Sequence, residues 1–183
     1  MQALRFVEGK IISGHFIFVR DRGTLSDLHF LSFLGLEGYT EDRAASFPFR
    51  FAHILRGGEW SGLADDWYYS LYNQGSVKTR VEQLAQSFEI LRTVVADADN
   101  SVEFYHFTEG RLRRGFELDD SGPKSRGILL DHGPPFSCEI GADPKHDPDE
   151  FVRRIHAEVG IDLQAMASSV VTYSKPYDMM RTS

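Results

Sequence analysis

Alternation of apolar and polar residues at period two is strongest in Ser101–Asp120, SVEFYHFTEGRLRRGFELDD, and predicts two β-strands joined by a tight turn. Val102, Phe104 and His106 alternate with Glu103, Tyr105 and Phe107, so each set belongs to its own face of a sheet. The return strand runs Arg111 to Leu118, with Leu112, Arg114, Phe116 and Leu118 on one face. Thr108-Glu109-Gly110 reads as a three-residue loop, with Gly110 in the left-handed region and a bulge after a type I turn. That loop sets Phe104 opposite Arg114 and Val102 opposite Phe116, so apolar residues share a face whose burial fixes the register. Glu103, Tyr105, Phe107, Arg111, Arg113 and Glu117 fall on the other face.

The rest of the chain continues the strand-rich pattern. Ala3–Val7 and His15–Arg20 read as strands, the second being rich in aromatic and β-branched residues. A turn at Asp21-Arg22-Gly23 leads into a helix over TLSDLHFLSFLG. Thr24 or Ser26 caps it, Leu28, Leu31 and Leu34 share a side, and Gly35 ends it. The polar stretch Glu37–Ser46 reads as a loop. Phe49–Leu55 alternates as a strand, Gly57-Gly58 marks a turn, and Trp60–Leu63 and Trp67–Tyr72 add strands. Ser76 caps a helix over Val77–Gln86, with Val77, Val81, Leu84 and Ala85 at helical spacing, and Phe88–Ala96 returns to strand. In DPDEF, Asp147 caps, Pro148 takes the first helical position and Glu150 lies three residues after the cap. That helix runs to Val159 with Phe151, Ile155 and Val159 inward, and Gly160 stops it. Asp162 caps a short helix over Leu163–Ser168, and the tail from Val170 pairs as an edge strand. The whole predicts one α+β domain over residues 1–183, a mainly antiparallel sheet with a few helices packed on one face. The loop at residues 35–46 is the candidate boundary.

Composition narrows the function classes. The 183 residues carry a formal net charge of −7, which argues against a nucleic-acid binder, since that would need a basic face to displace counterions. Arg111, Arg113 and Arg114 form the one candidate basic patch. A single cysteine, Cys138, excludes an intramolecular disulfide and fits a reducing cytoplasm. The opening MQALRFVEGKIISG lacks the unbroken apolar core of a signal peptide, and no run approaches a membrane span. No membrane partner is therefore expected.

Candidate chemistry is thin. The chain holds no phosphate loop, dinucleotide fingerprint, His-Glu-x-x-His or nucleophile elbow, and the glycine spacing in GGEWSG is wrong for the last. Asp143, His146, Asp147, Asp149 and Glu150, with His156 nearby, carry metal-ligand chemistry, but a capping role for Asp147 competes with it. The pairs Asp65-Asp66, Asp97/Asp99 and Asp119-Asp120 all sit at turns and read as solvated. His53 and His106 read as hydrogen-bonded core histidines, and Cys138 as a small buried filler with His132 its one potential partner. Trp60, Trp67, Tyr68, Tyr69 and Tyr72 make the densest aromatic group, and exposed aromatics beside arginines are interaction anchors.

The ordered segments HFIFVRDRGTLSDLHFLSFLG, GEWSGLADDWYYSL, SVEFYHFTEGRLRRGFELDD and DPDEFVRRIHAEVGIDL together resemble a group of uncharacterised bacterial single-domain α+β proteins, some of them suspected immunity partners of toxins. The resemblance implies a protein partner and supplies no catalytic residues. The expectation is a non-catalytic cytoplasmic binding domain, without cofactor or metal, that uses an aromatic-rich sheet face. Trp60, Trp67, Tyr69, Tyr105, Arg111 and Arg113 are its binding residues. A small metal-dependent or thiol hydrolase and a small-molecule sensor are the alternatives.

Overall fold

The computed structural model describes residues 4–7, 10–41, 49–65, 75–96 and 100–176. Among these, ten strands are β1 (Leu4–Val7), β2 (Lys10–Arg20), β3 (Thr40–Glu41), β4 (Phe49–Gly57), β5 (Trp60–Asp65), β6 (Glu89–Val95), β7 (Val102–Thr108), β8 (Arg111–Asp119), β9 (Gly127–His132) and β10 (Val171–Pro176). Four helices are α1 (Asp27–Phe33), α2 (Gly75–Leu84), α3 (Pro148–Glu158) and α4 (Leu163–Ala167). The sheet path is β3-β10-β4-β5-β2-β6-β7-β8-β9, with β1 paired to β2 off this path, and every pairing is antiparallel. The α+β class with a mainly antiparallel sheet is therefore what the chain forms. No helix among the described residues is long and apolar enough to cross a membrane.

The helices differ from the expectation of one covered face, because they divide between two. On β2, Phe16 and Phe18 enter a cluster with Phe104, Phe116, Phe151, Ile155 and Met166, under α3 and α4. Their neighbours Ile17 and Val19 enter a second cluster with Phe30, Leu31, Leu34, Val81 and Leu84, under α1 and α2. Consecutive residues of a strand point to opposite faces, so four apolar residues in a row require cover on both. All four are at most 1% exposed.

Three caps follow the sequence, while Ser76, expected to cap the second helix, lies inside α2, which begins at Gly75. Ser26 accepts from the His29 N–H, Asp147 from Glu150, and Asp162 from Gln164 and Ala165. Within α1, however, the buried stripe is Phe30, Leu31 and Leu34, while Leu28 is 63% exposed. The larger Phe30 draws the inward face around the helix and turns Leu28 out. In α3, Val152 and His156 join Phe151 and Ile155 inside. β10 lies one place in from the sheet edge, with only the two residues of β3 outside it. The expected strand Trp67–Tyr72 lies outside the described residues.

The central hairpin forms, with a different turn and register. Thr108 pairs Arg111 directly, leaving a two-residue turn in which Glu109 and Gly110 have φ of 53° and 71°. Two positive φ values are the signature of a type I′ turn, whose twist matches that of the flanking strands. The register then shifts between His106 and Phe107, because Arg113 is an extra residue on β8. Phe104 consequently faces Phe116, and Val102 faces Leu118, rather than Arg114 and Phe116. The bulge also turns Leu112 to the Tyr105 side, where it approaches Gly115. Phe104 and Phe116 still share a face, their rings 6.1 Å apart.

Asparagine tolerates positive φ better than glutamate does. Glu109→Asn is therefore expected to raise the free energy of unfolding by up to about 1 kcal/mol, read as a higher urea midpoint at unchanged slope. A second expectation concerns two interior histidines. His156, 2% exposed, sits edge-on to Phe18 with its Nε2 3.0 Å from Thr93 Oγ1, and burial pushes its pKa from 6.5 down to about 3. Burial, and then Arg92, push His15 down to about 4. Both rings are neutral in the folded protein where they are charged in the unfolded chain. Stability is thus complete above pH 6.5 and falls as pH drops below it, by up to about 1.4 kcal/mol per pH unit for each ring. The loss continues to about pH 4 for His15 and about pH 3 for His156. Urea midpoints across this range measure it, and His156→Gln should flatten the profile.

Candidate functional site: the open half of the sheet

The cluster under α1 and α2 draws on β2, β4, β5 and β10 and ends at Ile90 of β6, with Phe107 of β7 packed against its margin. Beyond that margin, on the same face, β6, β7 and β8 carry Arg92, Glu103, Tyr105 and Glu117. Among the described residues no helix packs over this half. Cross-strand pairing builds the surface: Arg92 lies opposite Tyr105, Tyr105 opposite Gly115, and Glu103 opposite Glu117. Gly115 lets Leu130 and Leu112 close over the strand, since a Cβ there would stand 3.1 and 3.3 Å from their Cδ2 atoms, with the Tyr105 ring in ordinary contact beside them.

Two like charges face each other at Glu103 and Glu117, an arrangement that destabilises a strand pair unless it is compensated. Both are. Arg92 reaches Glu103 at 3.5 Å, and the Tyr105 hydroxyl donates to Glu117. The Arg92 guanidinium also lies over the Tyr105 ring, 5.3 Å from its centre, in cation–π geometry. The half-buried tyrosine is held at its ring and at its hydroxyl, so little rotamer freedom remains for a partner to freeze out. Arg111 is exposed where β8 begins, and Arg113 is tied to Glu109 at 2.5 Å and to Thr108 at 2.9 Å. The bulge that brings Leu112 to the Tyr105 side leaves Arg111, paired with Thr108, on the other face, against the sequence expectation. Arg111 and Arg113 therefore stand at the turn end of the hairpin as a charged rim at its tip.

Of the sequence-predicted residues, the structure thus gathers Tyr105, Arg111 and Arg113 on one hairpin. Trp60 is not among them: it is 3% exposed, in the core on the opposite face, with Arg20 stacked 5.8 Å from its ring. Trp67 and Tyr69 lie outside the described residues. Arg92 and Glu117 complete the surface; the alternation had already put Glu117 on the face of Tyr105, and Arg92 is the polar member of β6 that pairs with Tyr105.

On the opposite face a row of polar contacts runs from exposed Glu59 and Arg20 inward to buried Arg114. Glu59 takes Arg20 at 2.7 Å, Arg20 reaches Glu89 at 3.0 Å, and Glu89 meets His106 Nε2 at 2.9 Å. His106 pairs across the strands with Arg114, whose side chain is 4% exposed. Its guanidinium contacts Glu139 at 3.0 and 2.5 Å, Asp131 at 2.5 Å and the His132 carbonyl at 2.9 Å, and it lies over the Phe104 and Phe116 rings. Glu139 also accepts from the Phe136 N–H at 2.7 Å. Arg114 is therefore a buried structural cation, not part of a basic patch. It straps the segment after β9 across β8.

The residues of the hydrolase alternative hold other positions. Burial, followed by Glu158 and Glu139, pushes the Cys138 thiol up to about 11, which disfavours the nucleophilic thiolate. His132 hydrogen-bonds to the Leu112 carbonyl. Asp147 serves as a helix cap, and Glu150 is bound by Arg153 and Arg154. Among the described residues, no three His, Cys, Asp or Glu side chains gather as a potential metal group. A depression of about 380 Å³ at the joint of α3 and α4 is lined by Arg153, Gly160, Asp162, Leu163 and Gln164.

Comparison of the chain with protein-family models, curated proteins and solved structures finds no match in any of the three.

Arg114→Met would remove the cation while leaving Glu139, whose side chain is 8% exposed, buried without its main partner. The expected cost is about 3–5 kcal/mol of unfolding free energy, since breaking a buried pair strands a charge. Arg114→Met combined with Glu139→Gln should recover a substantial part of it. Equilibrium unfolding of the two variants measures the difference.

Proposed function

We propose that this protein is a non-catalytic binding domain, acting in the cytoplasm, that recognises another protein through the open half of its sheet. The role is that of an immunity or regulatory protein, as the resemblance to bacterial immunity partners implies. The observation that carries this reading is Tyr105, braced by Arg92 and Glu117 on a sheet face that no described helix covers. An ordered tyrosine stacked on an arginine is the side-chain chemistry of interface anchors, with a large contact area and few rotatable bonds. Arg111 and Arg113 at the rim, with Glu103 and Glu117 inside it, give a surface of mixed charge. The overall charge of −7 favours a basic protein partner and speeds its encounter. It disfavours nucleic acid.

Affinity capture from the native host, with quantitative identification of what is retained, tests the proposal. The wild type should retain one protein in stoichiometric amount. Tyr105→Ala, and Arg111→Glu combined with Arg113→Glu, should each lower its recovery about tenfold or more, the loss expected of an anchor residue. Leu28→Ser, on exposed α1, should retain it fully. Recovery of the same protein by all four chains would place the contact elsewhere and reject this surface.

A further inference from the structure

One end of the sheet path is β9, and among the described residues no strand pairs its outer edge. Such an edge offers unpaired N–H and C=O groups to any other strand, and proteins blunt it with charged side chains (lysine above all), proline, bulges or very short strands. β9 has six residues, GILLDH, and neither lysine nor proline. Ile128 is 61% exposed and Leu129 43%. Ile140, 77% exposed, follows Glu139, which Arg114 ties alongside Asp131 of β9. Exposed large apolar side chains are thus concentrated at this edge.

We infer that β9 pairs antiparallel with β9 of a second copy of this chain, joining two sheets into one. The strand's own charges select that occupant. Arg126, paired to Asp119 of its own chain, stands just before β9, and Asp131, paired to Arg114, near its end; both side chains stay largely exposed, at 71% and 58%, and keep capacity for a second contact. Antiparallel self-pairing lays the start of one strand beside the end of the other. Opposite charges therefore meet, and the two-fold axis makes the contact twice.

The bulge selects the register. Ile128 pairs Leu118 and Leu130 pairs Glu117, so Leu129 is an extra residue that shifts the alternation by one. Ile128 and Asp131 then share one face, and Gly127 and Leu130 the other. Setting Ile128 opposite Leu129 of the second copy puts Gly127 opposite Leu130, on a common face, and Arg126 opposite Asp131. The next register that also matches faces sets Ile128 against the Asp131 carboxylate, an apolar group against a charge. A two-fold axis normal to the sheet keeps both Tyr105 surfaces on the same side and brings them edge to edge. Six residues of strand form a small interface, so the dimer is concentration-dependent. This inference stands on the strand edge and holds whether or not the Tyr105 surface binds a partner.

Sedimentation velocity of the full chain, from low to high micromolar concentration, reads the assembly directly. The dimer fraction should rise with concentration, and Ile128→Lys should raise the dissociation constant about tenfold or more with an unchanged melting curve. A second measurement survives any folding defect in that variant. On a Cys138→Ser background, an equimolar mixture of Ile128→Cys and Leu129→Cys chains should form an intermolecular disulfide faster than either chain alone. A wild type that stays monomeric throughout, as it would if the edge took an extended peptide from another protein, overturns the proposal. So does a dimer that Ile128→Lys leaves intact, or a mixture that crosslinks no faster than its components.

Discussion

Burial of β2 on both faces is the constraint around which the other elements are arranged. Phe16 and Phe18 point one way and Ile17 and Val19 the other, and none can be left to water. Each such side chain contributes about 1.5–3 kcal/mol when fully buried, so both faces must be covered at this strand. The sheet accordingly has β2 fifth in its nine-strand path, with β5 and β6 on either side. One helix pair covers each face, and the chain supplies them in order: α1 and α2 before β6, α3 and α4 after β9. The two cores meet only through the backbone of this strand and its neighbours.

Toward β9 the sheet solves a different problem. There the α3 side carries Arg114 at an interior position, and a buried cation is tolerated only with its charge and N–H groups satisfied. Asp131 and the His132 carbonyl do this from the neighbouring strand β9, and Glu139 joins them because the chain after β9 folds back over β8. The same fold-back delivers Phe136 onto Phe104, and Cys138 and Ala142 onto the core below α3. An electrostatic requirement at one side chain thereby positions an irregular segment that has little regular structure of its own.

Neither device reaches the Tyr105 side of β6–β9, and that is where the polar pattern of the hairpin comes to the surface. Arg92 pairs with Glu103 and lies over the Tyr105 ring, and Tyr105 holds Glu117, with no described helix over them.

Much of the architecture was legible along the chain. Ser26, Asp147 and Asp162 announce their helices because a cap acts on backbone groups two or three residues away, and the type of residue suffices. The hairpin strands and the shared face of Phe104 and Phe116 follow from period-two alternation in the same way. The run Phe16–Val19 also held the sign of two-sided cover, since unbroken apolar residues in a strand leave no face for solvent. Register was less accessible: a type I′ turn with a bulge at Arg113 and a type I turn with a glycine bulge both keep the aromatics together, and only the packed sheet distinguishes them.

The candidate site divides along the same line. Tyr105, Arg111 and Arg113 were assigned from sequence to the outer hairpin face and its turn, because strand periodicity is local. Whether an aromatic or an arginine is exposed is not local: Trp60 and Arg114 share the composition of a surface anchor and a basic patch, yet both lie inside. Their burial depends on α3, α4 and the Asp131–Glu139 segment, all distant in sequence. Sequence alone thus determined which side of a strand most residues occupy, except beyond the bulge at Arg113, where Leu112 and Arg111 changed sides; tertiary structure decided which side is covered, because cover comes from elements whose arrival no local pattern encodes.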